Sequence, residues 1–130
     1  MSGNNFLIDT NIIVYLTKGL LKISDFAKNN SNLHISSITY IEALGYPFSN
    51  QYEEKIITDF CDMFERLFLT EDIEKQTIFI RKTHKIKLPD AIIAATAITH
   101  RLTLVTCNVS DFNKISGLNL FAPAIRAFST

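Results

Sequence analysis

Phe6-Leu7-Ile8-Asp9-Thr10-Asn11 is a short apolar run that ends in a carboxylate and two further polar side chains. The three apolar residues read as a buried strand, and Ile12 to Leu16 behind them as a helix stopped near Gly19. A strand feeding straight into a helix opens an α/β fold, and the chain repeats the unit. Leu20, Ile23 and Ala27 share a helical face, and Asn29-Asn30-Ser31-Asn32 breaks the chain before a second strand, Leu33 to Ser36. Thr39 to Leu44 reads as a helix ended by Gly45-Tyr46-Pro47, and Leu67-Phe68-Leu69 as a third strand.

Further along, Tyr52, Ile56, Phe60, Met63 and Leu67 recur at spacings of four and three, beside a second row of Ile57, Cys61, Phe64 and Phe68. This amphipathic stripe is wide for one helix on one sheet. It reads either as a core face or as a surface that meets another chain. Glu71-Asp72 opens a helix with a basic last turn, and Leu88-Pro89-Asp90 opens the most apolar helix, Ala91 to His100, whose alanines permit close packing. Leu102 to Thr106 is a near-continuous apolar strand of the kind buried in a parallel sheet, followed by a short helix, Asn108 to Lys114, and a last strand, Leu118 to Phe121. The alternation predicts one α/β domain over residues 1–130 with a mostly parallel sheet. Ligands of such sheets bind at the carboxyl ends of the strands, where Asp9 and Asn108 fall.

With 130 residues, 47% of them hydrophobic, the chain can bury a sizeable core. Thirteen basic and thirteen acidic side chains give a formal net charge of zero, so any nucleic-acid footprint has to be local. Two cysteines, Cys61 and Cys107, are too few for a disulfide framework and lack zinc-site spacing, which points to free thiols and a cytoplasmic setting. The N-terminus carries no export signal, and the longest nearly apolar stretch, Ala91 to Ile98, is far short of the roughly 20 residues a membrane span needs.

Four acids, Asp9, Glu42, Asp90 and Asp111, stand at junctions between strands and helices or near helix starts. Each alone has an ordinary explanation. Asp9 is a good helix cap, Glu42 has capping-box spacing from Thr39, Asp90 follows a proline at a helix opening, and Asp111 has capping-box spacing from Asn108. Topology nevertheless gathers all four on one sheet edge, with Thr10, Asn11, Thr106 and Asn108 beside them. Clustered carboxylates repel by roughly 3 kcal/mol per pair at about 6 Å with an effective dielectric near 20. A cation has to offset that repulsion, and an oxygen-only donor set without histidine or cysteine suits Mg²⁺ rather than zinc. The chemistry such a site performs is phosphodiester hydrolysis.

Leu7-Ile8-Asp9-Thr10-Asn11, Ile38-Thr39-Tyr40-Ile41-Glu42, Leu88-Pro89-Asp90-Ala91-Ile92-Ile93-Ala94-Ala95, and Leu104-Val105-Thr106-Cys107-Asn108 with Asp111-Phe112 together resemble a PIN domain, specifically the VapC-type toxins. The resemblance runs from about Phe6 to Phe121, in the family's order. It implies an α/β/α fold and a Mg²⁺-dependent endoribonuclease, with Mn²⁺ able to substitute. It further implies a toxin–antitoxin pair, a homodimer, a cognate antitoxin protein as partner, and structured RNA such as tRNA or rRNA as substrate. By motif position it implies Asp9 and Asp90 as principal metal ligands, Glu42 as a ligand or water-positioning group, and Thr106 as an orienting group. The chain departs from the family twice. Asn108 stands where some members have an acid, so that either Asn108 or Asp111, three residues on, completes the fourth position, and Cys107 stands where many carry a basic residue.

Arg81, Lys82, Lys85 and Lys87, with His84, form the densest basic run and read either as RNA-backbone contacts or as a solvated helix end. His34, His84 and His100 lack mutual metal spacing. Tyr15, Tyr40 and Tyr46 read as base-stacking platforms or as core or interface residues. Two other functions compete. An aspartyl phosphotransferase would use Asp9 as nucleophile but wants an acid where Asn11 stands, and a non-catalytic PIN-like module would only bind RNA or protein.

Overall fold

The structure is a computed structural model that describes residues 4–126; Met1–Gly3 and residues 127–130, which the single-domain expectation also spans, lie outside the described residues. Its strands are β1 (Asn5–Ile8), β2 (Asn32–Ser36), β3 (Glu65–Leu67), β4 (Thr103–Val105) and β5 (Asn119–Phe121). They form one sheet in the order β3-β2-β1-β4-β5, every pairing parallel. The helices are α1 (Thr10–Thr17), α2 (Ser37–Leu44), α3 (Gln51–Asp62), α4 (Glu71–Thr83), α5 (Leu88–His100) and α6 (Val109–Phe112). The chain builds outward from β1 through β2 to β3, then returns to add β4 and β5 on the other side. The direction therefore reverses between β1 and β4, the place where open parallel sheets bind ligands.

Alternation along the strands sends side chains to both faces and makes two cores. Leu7 and Leu104 face α4 and α5, joining Ile73, Ile80, Ile93 and the alanines of α5. Phe6, Ile8, Ile35 and Val105 face the other way, joining Ile12, Ile13 and Leu16 of α1 with Cys61 and Phe64. The outcome is the expected helix–sheet–helix architecture. Helix α5 is central as read: Ala91, Ile93, Ala94, Ala95, Thr96 and Ala97 are all buried, and Thr96 Oγ1 donates within the helix to the Ile92 carbonyl at 2.7 Å. No helix among the described residues is long and apolar enough to cross a membrane.

Several boundaries differ from the sequence reading. Leu20, Ile23 and Ala27 do not share an α-helix; only a single 3₁₀ turn, Ile23–Asp25, forms there. Helix α2 starts at Ser37, because Ser36 Oγ accepts from the Ile38 N–H at 3.1 Å. Thr39 thus lies inside the helix, and Glu42 is no capping-box partner. The apolar stripe is not one helix either, since α3 ends at Asp62, and Leu67 belongs to β3. The third strand is Glu65–Leu67, set by parallel pairing with β2, and the last two elements are shorter than read.

Candidate active site

Asp9 follows directly on β1, where its N–H donates to the Val105 carbonyl at 3.0 Å and continues the sheet by one residue. Its side chain is 4% exposed and satisfied from three sides. Oδ1 accepts from the Thr10 N–H at 2.8 Å, while Oδ2 accepts from Thr106 Oγ1 at 2.7 Å and Asn11 Nδ2 at 3.0 Å. The capping reading of Asp9 is realised: one carboxylate oxygen caps α1 at the end of β1, and the other is held by Thr106 and Asn11. Burial raises its pKa above the ordinary carboxylate value; the bonds from Thr106, Thr10 and Asn11 oppose that, and the charge of Asp111 adds to it.

Asn11 and Thr106 form the frame behind this carboxylate. Asn11 Oδ1 accepts from the Cys107 N–H at 3.1 Å, and Thr106 Oγ1 accepts from the Asn108 N–H at 3.0 Å. The turn after β4 is thereby locked to the first turn of α1. Asn108 contributes this backbone N–H; it occupies the N-cap position of α6 but makes no side-chain cap bond. The Cys107 thiol is pushed up in pKa by burial and by the Asp9 charge.

Thr10 points the other way. Its Oγ1 donates to Glu42 Oε1 at 2.7 Å and lies 3.3 Å from Thr39 Oγ1. This contact across α1 and α2 ties Glu42, an exposed side chain, to the residue that follows Asp9. Spacing alone gave no hint of it, because Thr10 and Glu42 are joined only by the approach of the two helices.

Asp90 stands in the first turn of α5, half-buried, with its pKa pushed up to about 6. Desolvation is the largest cause, followed by the charges of Asp9, Asp111 and Glu42; Lys87 pulls the other way. Asp9, Glu42 and Asp111 are thus each within electrostatic reach of Asp90 at the carboxyl edge of the sheet, although Glu42 and Asp111 are exposed. Among the described residues no three His, Cys, Asp or Glu side chains close around a common point. The donor set nevertheless fits a hard divalent cation: it is all oxygen, it crowds like charge around Asp90, and it has Asp9 held in place from behind.

The remaining sequence candidates separate. Lys85 and Lys87 line a cleft with Asp90 and Asp111, whereas Arg81 and Lys82 sit on α4 outside that lining. His34 Nδ1 lies 2.8 Å from Glu65 Oε1 between β2 and β3, away from the acids. Tyr15 and Tyr40 pack against the core, and Tyr46 is exposed, edge-on to Phe48 at 5.3 Å. Sequence reading missed Lys114, which lines the acid-bearing cleft.

A sheet of this order, with carboxylates gathered at its reversal point, defines the PIN class, and the PIN domain family model matches residues 6–118; the chain belongs to that family. It is 33% identical to Ribonuclease VapC1 of Rickettsia felis, an alignment covering 88% of this chain and 92% of that protein. It resembles a chain of a toxin–antitoxin complex from Klebsiella pneumoniae with a TM-score of 0.71 at 31% identity, covering 91% of this chain and 97% of that one. It shares its fold with a chain of VapBC2 from Rickettsia felis, solved bound to a promoter DNA fragment, with a TM-score of 0.79 at 22% identity over 91% and 98% of the two chains.

Proposed function

We propose that this protein is a VapC-type, Mg²⁺-dependent endoribonuclease, the toxin of a toxin–antitoxin pair, acting on structured RNA such as tRNA or rRNA. The observation that carries the reading is Asp90, whose carboxyl group is raised to about 6 by burial and by three other acids from separate parts of the chain. Such crowding of like charge has a purpose where a cation is to be bound. The 33% identity to a ribonuclease along most of both chains supports the same activity, and the toxin–antitoxin complexes among its structural relatives support an antitoxin partner.

Asp9, Glu42, Asp90 and Asp111 would hold Mg²⁺, with Mn²⁺ an effective substitute. When bound, the ion activates water and stabilises charge on the leaving oxygen. The protein's own groups supply position. Asn11 and Thr106 hold Asp9 Oδ2, Thr10 N–H holds Oδ1, and Thr10 Oγ1 holds Glu42, so two ligands are oriented before substrate arrives. Asp90 is fully ionised only above its raised pKa. In the reaction a water oxygen bonds to phosphorus and gives up a proton, the bond from phosphorus to the 3′ oxygen breaks, and the leaving oxygen takes up a proton, giving 5′-phosphate and 3′-hydroxyl ends.

The exposed, unclosed positions of Glu42 and Asp111 favour a second reading, a PIN-like module that binds RNA or protein without cutting. One assay separates them: cleavage of total cellular RNA by antitoxin-free protein with Mg²⁺, with EDTA, and with Asp9→Ala and Asp90→Ala. Discrete fragments lost in EDTA and in both variants are expected. Intact RNA from folded, Mg²⁺-binding protein would move the assignment to the binding module.

A further inference from the structure

Two grooves of opposite character flank the acid cluster. One, about 370 Å³, is lined by Lys85 and Lys87 from the segment between α4 and α5 and by Lys114 just beyond α6, with Asp90 and Asp111 among its walls. The other, about 540 Å³, lies among α1, α2 and α3, where Glu42 and Glu53 outnumber Lys18 and the rest is largely apolar.

We infer that a single RNA strand leaves the acid cluster through the first groove, its phosphodiester backbone held between Lys85 and Lys87 on one element and Lys114 on another. This rests on the ribonuclease reading and assigns Lys114 as a positioning residue. A polyanion approaching four carboxylates needs adjacent cations to bring it in, and in a chain of zero net charge those cations have to be local. The acidic groove repels phosphates, so the path is one-sided. Lysine, a flexible point charge, suits backbone contact without sequence readout. The groove, about 370 Å³, falls within the roughly 300–1,000 Å³ typical of ligand pockets. The basic run of the sequence is thereby divided. Lys85 and Lys87 belong to the path, Arg81 and Lys82 do not, and Lys114 joins it from 27 residues beyond Lys87.

The test is binding of a short fluorescent oligouridine in EDTA across a salt series, paired with RNA cleavage in Mg²⁺, for wild type, Lys114→Gln, Lys114→Arg and Lys28→Gln. Lys114 is exposed, so unchanged melting temperatures are expected and serve as the folding control. Lys114→Gln should weaken oligouridine binding several-fold, flatten the plot of log affinity against log salt by about 0.7, and raise KM while sparing kcat. Lys114→Arg should restore binding. Lys28→Gln, in the turn that precedes β2, should match wild type. A Lys114→Gln salt slope equal to wild type overturns the inference, as does preferential, Lys114-dependent binding of oligoglutamate, which would make the groove a protein-docking site. Wild-type protein that cleaves no RNA sinks the ribonuclease reading instead, while the oligouridine arm still decides whether Lys114 grips a nucleic-acid backbone.

Discussion

Thr106 Oγ1 donates a 2.7 Å hydrogen bond to Asp9 Oδ2, joining the ends of β4 and β1 across 97 positions of sequence. The same oxygen accepts from the Asn108 N–H, so one buried hydroxyl serves a carboxylate and a turn together. Thr106→Val should cost about 1–3 kcal/mol in urea unfolding, because it leaves both groups short of a partner in the interior. Thr106→Ser should recover most of the loss. Equal stability of the valine variant and wild type would show that water replaces the hydroxyl.

Asp90 makes stability depend on pH with a definite sign. Its folded pKa, about 6, lies above the ordinary 3.8, so between those values the folded state holds more protons than the unfolded state. The stabilising effect of that proton is complete below about pH 4 and is lost as pH rises through about 6. In EDTA, melting temperature should fall across this window, and Asp90→Asn should flatten the fall. At neutral pH the variant should gain on the order of 1 kcal/mol, after allowance for solvent screening of a half-exposed group. A profile identical in the two proteins would remove Asp90 from the repulsive cluster.

Metal binding should relieve the same repulsion. Millimolar Mg²⁺ is expected to raise the melting temperature by several degrees, since ligand at about 100 times its Kd adds roughly 2.7 kcal/mol. Asp9→Asn combined with Asp90→Asn should abolish the rise, and calorimetric titration should lose its heat in parallel. A rise of equal size in the double variant would locate the ion elsewhere.

Thr10 separates orientation from stability. Its bond to the exposed Glu42 contributes little to folding, so Thr10→Val should change stability by no more than about 0.5 kcal/mol. Loss of an orienting partner should nevertheless reduce metal affinity or RNA cleavage by roughly 10- to 100-fold. Full activity in the valine variant would mean that Glu42 finds its position unaided.

What the sequence made legible follows from how local each signal is. Phe6 to Asn11 and Leu88 to Ala95 announce themselves because an acid interrupts an apolar run that has to be buried, and the parallel sheet with both faces covered follows from such runs alternating with helices. Glu65-Arg66-Leu67 carries no such signal. It becomes a strand by pairing with His34-Ile35-Ser36, and Arg66 settles 3.9 Å from the centre of the Tyr40 ring, a contact made by tertiary approach. The Thr39 start of the second helix was misplaced because Ser36 reads equally well as the end of a strand and as a cap, and it is both. The site divides in the same way. Asp9, Asp90 and Thr106 lie in motifs, whereas the Thr10 bond to Glu42 and the place of Lys114 in the cleft exist only once helices are packed.

The reversal of strand order between β1 and β4 also sets a timetable. During synthesis, at about 5–20 residues per second, Asp9 emerges early and β2 can pair with its strand, but the neighbour on the other side is not made until Val105. Until Thr106 follows, the Asp9 carboxylate stands at an open strand edge without its strongest donor. A chain that has not yet reached Thr106 therefore lacks the frame that holds Asp9, and the four acids come together only after β4 and the turn behind it have been made.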